Sequence, residues 1–174
     1  IVETAQGGVD LYYKTKEHAK GKGVQVSVST ACFVPKPFTP FQFEPQDTME
    51  QLAQKQERMR AVLHSKKIKL SCHDTQVSFI EGVFARGDRR LGKAILRAWE
   101  SGCTFDGWSE RFSYERWMAA FAGAGLDPAF YANRRRPYDE VLPWDHLDYG
   151  VSKAFLVREN QLAHQSVATP HCRQ

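Results

Sequence analysis

The densest group of residues able to do chemistry is "LPWDHLDYG" (Leu142–Gly150), where Asp145, His146 and Asp148 lie between Trp144 and Tyr149. A carboxylate beside an imidazole can orient the ring for proton transfer, which makes Asp145 and His146 the candidates for acid–base catalysis. The same stretch also reads as a loop whose tryptophan plugs a core while its aspartates cap the next helix. A second group, "CHD" (Cys72, His73, Asp74), places three potential ligands in a row. Neighbouring side chains on a strand point to opposite faces, so these three cannot meet one metal while extended. They read better as a strand end running into an aspartate cap.

The four cysteines (Cys32, Cys72, Cys103, Cys172) are scattered, with no CxxC, CxxxCxxC or HxxxH spacing. No zinc or iron–sulfur ligand set is therefore complete. Cys103 reads as a core residue. Cys172 follows a Thr-Pro turn and could be the first member of a larger cysteine set. With no secretory signal visible, reduced thiols and a cytoplasmic location are expected. No apolar run approaches ~20 residues, so no membrane span is expected.

The 174 residues carry a net charge of +4, a mild excess that permits contact with nucleic acid without requiring it. Arg86, Arg89, Arg90, Lys93 and Arg97 lie on or before one helix, with Arg90, Lys93 and Arg97 on a common face. That face suits phosphates, and equally suits water. "NRRRPYDE" (Asn133–Glu140) sets three arginines against two acids without an aromatic stacking platform.

Several elements must position these groups. Residues 1–18 read as a helix with Val2, Ala5, Val9 and Tyr12/Tyr13 on one stripe, stopped by a turn at Gly21–Gly23. The opening lacks an initiator methionine and begins inside this helical pattern, which predicts a segment of a longer chain. Val24–Thr30 alternates as a strand. Asp47 and Glu50 predict a capping box for a helix reaching Leu63, with Met49, Leu52, Met59 and Leu63 buried. "KKIKLSC" (Lys66–Cys72) alternates Ile68, Leu70 and Cys72 and reads as a second strand, and if it joins the same sheet, Ser29–Cys72 is a strand–helix–strand unit. Further helices are expected from Asp74 to Phe84, from Asp88 to Gly102 on an inner face of Leu91, Ile95 and Ala98, and from Ser113 through Trp117, Met118 and Phe121. A short helix at Pro128 and a last one across residues 149–164 complete the series. The fold class predicted is α/β to α+β, divided as 1–73 and a mostly helical extension over 74–174.

Between the first strand and the helix after it stands "FVPKPFTPFQFEPQ" (Phe33–Gln46), whose Pro35, Pro37 and Pro40 end the strand in a stiff extended exit. This segment resembles the one after the last barrel strand of radical SAM enzymes, where an F-x-P-K/R-P-x-T-P pattern recurs. "FARGDRRLGKAILRAWESGCTFDGW", "GLDPAFYANRRRPYDEVLPWDHLDYGVSKAFL" and "TPHCR" are similar to the downstream region of one bacterial radical SAM group. Its members carry an N-terminal cobalamin-binding-type domain, and the resemblance covers nearly the whole chain.

The resemblance implies the C-terminal piece of a partial (β/α) barrel. In the parent, a CxxxCxxC loop would hold a [4Fe–4S] cluster that reductively cleaves S-adenosylmethionine (SAM) to a 5′-deoxyadenosyl radical. The motif is absent here, so the segment alone would be inactive and would bind no cofactor, with cobalamin a further candidate cofactor of the parent. Its partner would be the rest of the parent chain, and an exposed strand edge would favour self-association. On the matching positions Ser29, Thr30, Phe33, Val34, Pro35 and Lys36 would lie on the SAM side. Lys36 could meet a carboxylate or phosphate there, or solvent alone. The rival expectation is a basic RNA-binding module without catalysis.

Overall fold

A computed structural model describes residues 1–15 and 23–170. The turn expected at Gly21–Gly23 falls largely outside them, as does Cys172. The chain is a mixed helical protein with a small parallel sheet of two strands. None of its helices among the described residues is long and apolar enough to cross a membrane. It divides into two compact units, one of residues 1–32 and 48–75, the other of 33–47 and 76–174. The proline segment thus belongs to the second unit, with the helical extension, although it follows the first strand in the chain.

The first unit contains α1 (Val2–Thr15), β1 (Val26–Thr30), α2 (Met49–Ala61) and β2 (Ile68–Cys72). β1 and β2 pair in parallel, Val26 opposite Ile68 through Thr30 opposite Cys72, so the expected strand–helix–strand unit forms. Period-two alternation gives the sheet two different faces. Val26 and Val28 join Ala5, Val9, Leu63 and Ile68 in one apolar cluster. Ser27, Ser29, Lys69 and Ser71 point the other way and are exposed. The capping box that opens α2 is Thr48 with Gln51, one residue beyond the expected Asp47 and Glu50. The Gln51 backbone N–H donates to Thr48 Oγ1, and the Thr48 N–H donates to Gln51 Oε1. Of the expected α2 stripe only Leu52 is buried; Met49, Met59 and Leu63 are half-buried.

The second unit begins with the proline segment, which forms a 3-10 turn at Pro40–Phe43, and continues through α3 (Thr75–Arg86), α4 (Leu91–Glu100), α5 (Tyr114–Gly123), α6 (Pro128–Ala132) and α7 (Lys153–His164). Ser113, Asp127 and Ser152 cap α5, α6 and α7 with their side chains. Asp88 does not cap α4 directly: the N-cap is Arg90, whose backbone N–H and guanidinium both donate to the Asp88 carboxylate. The inner face of α4 is Leu91, Ala94 and Ala98; Ile95, expected inside, is 48% exposed. Small alanines bring α4 close to its neighbour α5, and the bulkier Ile95 and Leu96 are left outward. Phe43, Leu142, Trp144 and Leu156 form the core between the 3-10 turn and α7. A second aromatic group joins Phe84 to Trp117 and Phe121.

Candidate functional site

Within the first unit, Ser29 stands on the polar face of the sheet, near the carboxyl end of β1. Thr30 belongs to the opposite face, and its hydroxyl donates to the Ser71 carbonyl at 3.4 Å. Beyond the strand, the Gln56 side-chain amide donates to the His73 carbonyl at 2.8 Å and lies 3.8 Å from the Cys32 Sγ. His73 is exposed and tied down through its backbone, whose N–H donates to the Thr30 carbonyl. Cys72, His73 and Asp74 therefore form a strand end running into α3.

Within the second unit, Phe33 is 51% exposed and packs edge-on against Phe41. Val34 and Pro35 are buried. Lys36 meets a carboxylate of its own chain, Glu81, at 2.5 Å. Both partners are half-exposed, so this pair is a weak anchor. The polar and aromatic atoms left open among the predicted SAM-side residues are the Ser29 hydroxyl and the Phe33 ring.

In "LPWDHLDYG" the tryptophan plugs the core, as the loop reading expects. Trp144 is buried, and its indole N–H donates to Gln42 Oε1 at 2.8 Å. Asp145 is held through one oxygen, Oδ2, which accepts from the Leu142 N–H at 2.9 Å and from Lys153 Nζ at 2.7 Å. His146 is exposed and makes no hydrogen bond to Asp145 among the described residues. Asp148 accepts from the Gly150 N–H and so closes the loop, and α7 takes its cap from Ser152.

The arginines divide sharply. Arg86, expected with the basic helix, is fully buried and donates to the carbonyls of Tyr131, Ala132 and Arg134 at 2.7, 2.6 and 2.8 Å. Burial and the nearby charges of Arg136 and Arg134 pull its guanidinium down to about 10, which still leaves it charged at neutral pH. Arg136 is also buried, donating to the Arg86 carbonyl and to Glu140. Arg134 grips Glu140 with two bonds of 2.7 and 2.6 Å, a bidentate pair. The hydrogen bonds from Arg134 hold the Glu140 carboxyl below its ordinary value, against the effect of burial. "NRRRPYDE" is thus largely an internal structural network.

Beside it runs a chain of contacts from Tyr138 through Asn160 to Glu44 and His164. Burial pushes the Glu44 carboxyl up, but His164, Asn160 and Arg135 together outweigh it and hold it low. Gln42, Gln46 and Asn160 are buried polar residues that the sequence reading did not select. The one local signal was a pair of glutamines four apart inside an aromatic, proline-rich run.

Among the described residues no three His, Cys, Asp or Glu side chains gather to hold a metal ion, and Cys32, Cys72 and Cys103 are all free. The described residues do not fit a [4Fe–4S] cluster, which needs three or four converging thiolates. Compared with family models, with curated proteins and with solved structures, the chain gives no significant match.

Proposed function

We propose that this chain is the C-terminal part of a radical SAM enzyme: α1, β1, α2 and β2 are barrel elements, and the helices from α3 onward are an extension. The observation that carries this reading is the two-faced parallel pair. Val26, Val28 and Ile68 pack with α1, while Ser27, Ser29, Lys69 and Ser71 offer small or polar side chains on the other side. A parallel sheet is ordinarily covered on both faces. In a (β/α) barrel the outer face meets helices and the inner face surrounds the chemistry, with ligands at the carboxyl ends of the strands. Ser29 and Ser71 are opposite one another at that end. The proline exit, with the residues that resemble the radical SAM pattern, leaves β1 there.

On this reading the cluster and the cleavage of SAM belong to the upstream part of a cytoplasmic parent. This chain supplies part of a polar inner wall, with the Ser29 hydroxyl as a donor towards the adenosine side. Phe33 offers a ring face at the start of the exit. Cobalamin, if the parent uses it, is held by its N-terminal domain.

The test uses the parent chain, extended upstream to include its CxxxCxxC segment and reconstituted anaerobically with iron and sulfide. After reduction and addition of SAM, 5′-deoxyadenosine is expected, and it disappears when those cysteines become alanine. A well-formed cluster that yields none overturns the proposal. The rival nucleic-acid reading keeps less support, because Arg134 and Arg136 are engaged internally and Arg90 is paired with Asp88. Its remaining basis is the exposed Lys93 and Arg97 on α4. Salt-dependent RNA binding that is lost on neutralising those two residues would restore it.

A further inference from the structure

Helix α4 carries apolar groups on two sides, and its own unit covers only one of them. Leu91, Ala94 and Ala98 are buried, whereas Ile95, Leu96 and Trp99 are 48%, 54% and 64% exposed. At 3.6 residues per turn the three exposed groups lie on one arc beside the buried line. Gly92 falls on the same arc and leaves a hollow in it, since a Cβ there would meet nothing within 4 Å. The loop that follows adds two more rings, Phe105 at 76% and Trp108 at 65% exposure. It is tied to the end of α4, the Gly102 N–H donating to the Trp99 carbonyl and the Cys103 N–H to the Ala98 carbonyl.

Exposed apolar side chains scattered singly are ordinary, but five on one helix and the loop after it are not. Together they leave on the order of 600 Å² uncovered. A standard interface takes ~800 Å² per partner, so this face is large enough for a weak one. The charges on its border indicate what covers it. Lys93 and Glu100 are both exposed, and neither is in an ion pair among the described residues. They stand two turns apart on the same border of the arc. A two-fold axis that sets α4 antiparallel to its own copy keeps that border on one side and exchanges its ends. Lys93 of each copy then meets Glu100 of the other, twice over. Leu96 lies near the centre, and each Trp99 sits between Gly92 and Ile95 of the other copy. Arg89 and Arg97 lie outside this pairing and stay in solvent.

We propose that this face of α4 is the contact of a weak homodimer, two copies of the chain packed antiparallel through Ile95, Leu96 and Trp99. The contact uses the second unit alone and does not rest on the radical SAM reading. It also differs from association through the open edge of the sheet, which needs the first unit.

Sedimentation of the 174-residue chain over a range of concentrations tests it. A monomer–dimer equilibrium is expected, with a Kd on the order of 10–100 μM. Trp99→Ala should weaken it about tenfold. Lys93→Glu and Glu100→Lys, both at exposed positions, should each weaken it about fivefold by setting like charges opposite one another. Combined in one chain they should restore it, a rescue that only the antiparallel pairing gives. A chain that stays monomeric up to about 1 mM overturns the proposal. So does a dimer that Trp99→Ala leaves intact, or one that the two charge reversals weaken further in combination. A monomer that floats with vesicles of anionic lipid gives the face to a lipid surface, and overturns it as well.

Discussion

The two units hold themselves together by different means. The first relies on a thin apolar layer, with Ala5, Val9 and Ile68 its fully buried members, and on local devices such as the Thr48–Gln51 box. The second buries polar groups and hydrogen-bonds them at long range, through Arg86, Arg136, Gln42, Gln46 and Asn160. Gln46 Oε1 and the Nε atoms of Arg86 and Arg136 are nonetheless left without partners among the described residues. An apolar layer tolerates substitution of similar volume. A buried polar network does not, because a lost member leaves its partners without hydrogen bonds. The second unit should therefore be the more brittle, and the first the more adaptable.

The four tryptophans, Trp99, Trp108, Trp117 and Trp144, all lie in the second unit. Their fluorescence reports that unit alone, while hydrogen exchange at the paired amides of β1 and β2 reports the first. Arg86→Met should have the largest effect, lowering the fluorescence-detected stability by about 3–5 kcal/mol, since three carbonyls lose their donors. Exchange in β1 and β2 should change little, and if both probes fall together the contrast between the units is broken.

Acid should act on the second unit next. The Glu140 carboxyl is held below its ordinary 4.5 in the folded protein. Its contribution is present above that value and is lost as pH falls through the lower folded pKa. The fluorescence midpoint in urea should therefore drop below about pH 4.5. Arg134→Met should flatten that dependence.

Thr48→Ala should cost about 1 kcal/mol, seen in faster exchange of the α2 amides and not by fluorescence. Lys36→Ala, which breaks a half-exposed pair with Glu81, should cost no more than about 0.5 kcal/mol by either probe.

This contrast also explains what could be read from the sequence. β2 was legible in the alternation of Ile68, Leu70 and Cys72, although it begins two residues after the expected Lys66. The start of α5 at Ser113 and of α6 at Pro128 was legible, whereas α7 is capped by Ser152 and not by the aspartates of the preceding loop. The α2 box was misplaced by one because Asp47–Glu50 and Thr48–Gln51 satisfy the same spacing. The structure places the N-cap at Thr48, extended at φ −65° and ψ 158°, with both box hydrogen bonds made to Gln51.

At the candidate site, the burial of Trp144 was legible as a loop plug, whereas its partner Gln42 was not. Their hydrogen bond spans 102 residues, and a glutamine is ordinarily read as solvated. Arg86 was grouped with exposed arginines for the same reason. Its ligands are carbonyls some 45 residues away, and a carbonyl has no residue type to betray it.

The discontinuous make-up of the second unit also sets a timetable. Its proline segment leaves the ribosome early, but Glu44 meets Asn160 across 116 residues, and Gln42 meets Trp144 across 102. At ~5–20 residues per second, Phe33–Asp47 must wait about 5–25 s for its partners to be made. Until then Phe38 lacks Tyr149, and Phe43 lacks Leu156. Four prolines spaced along the segment (Pro35, Pro37, Pro40 and Pro45) make it a poor recruit for stray strand pairing while it waits.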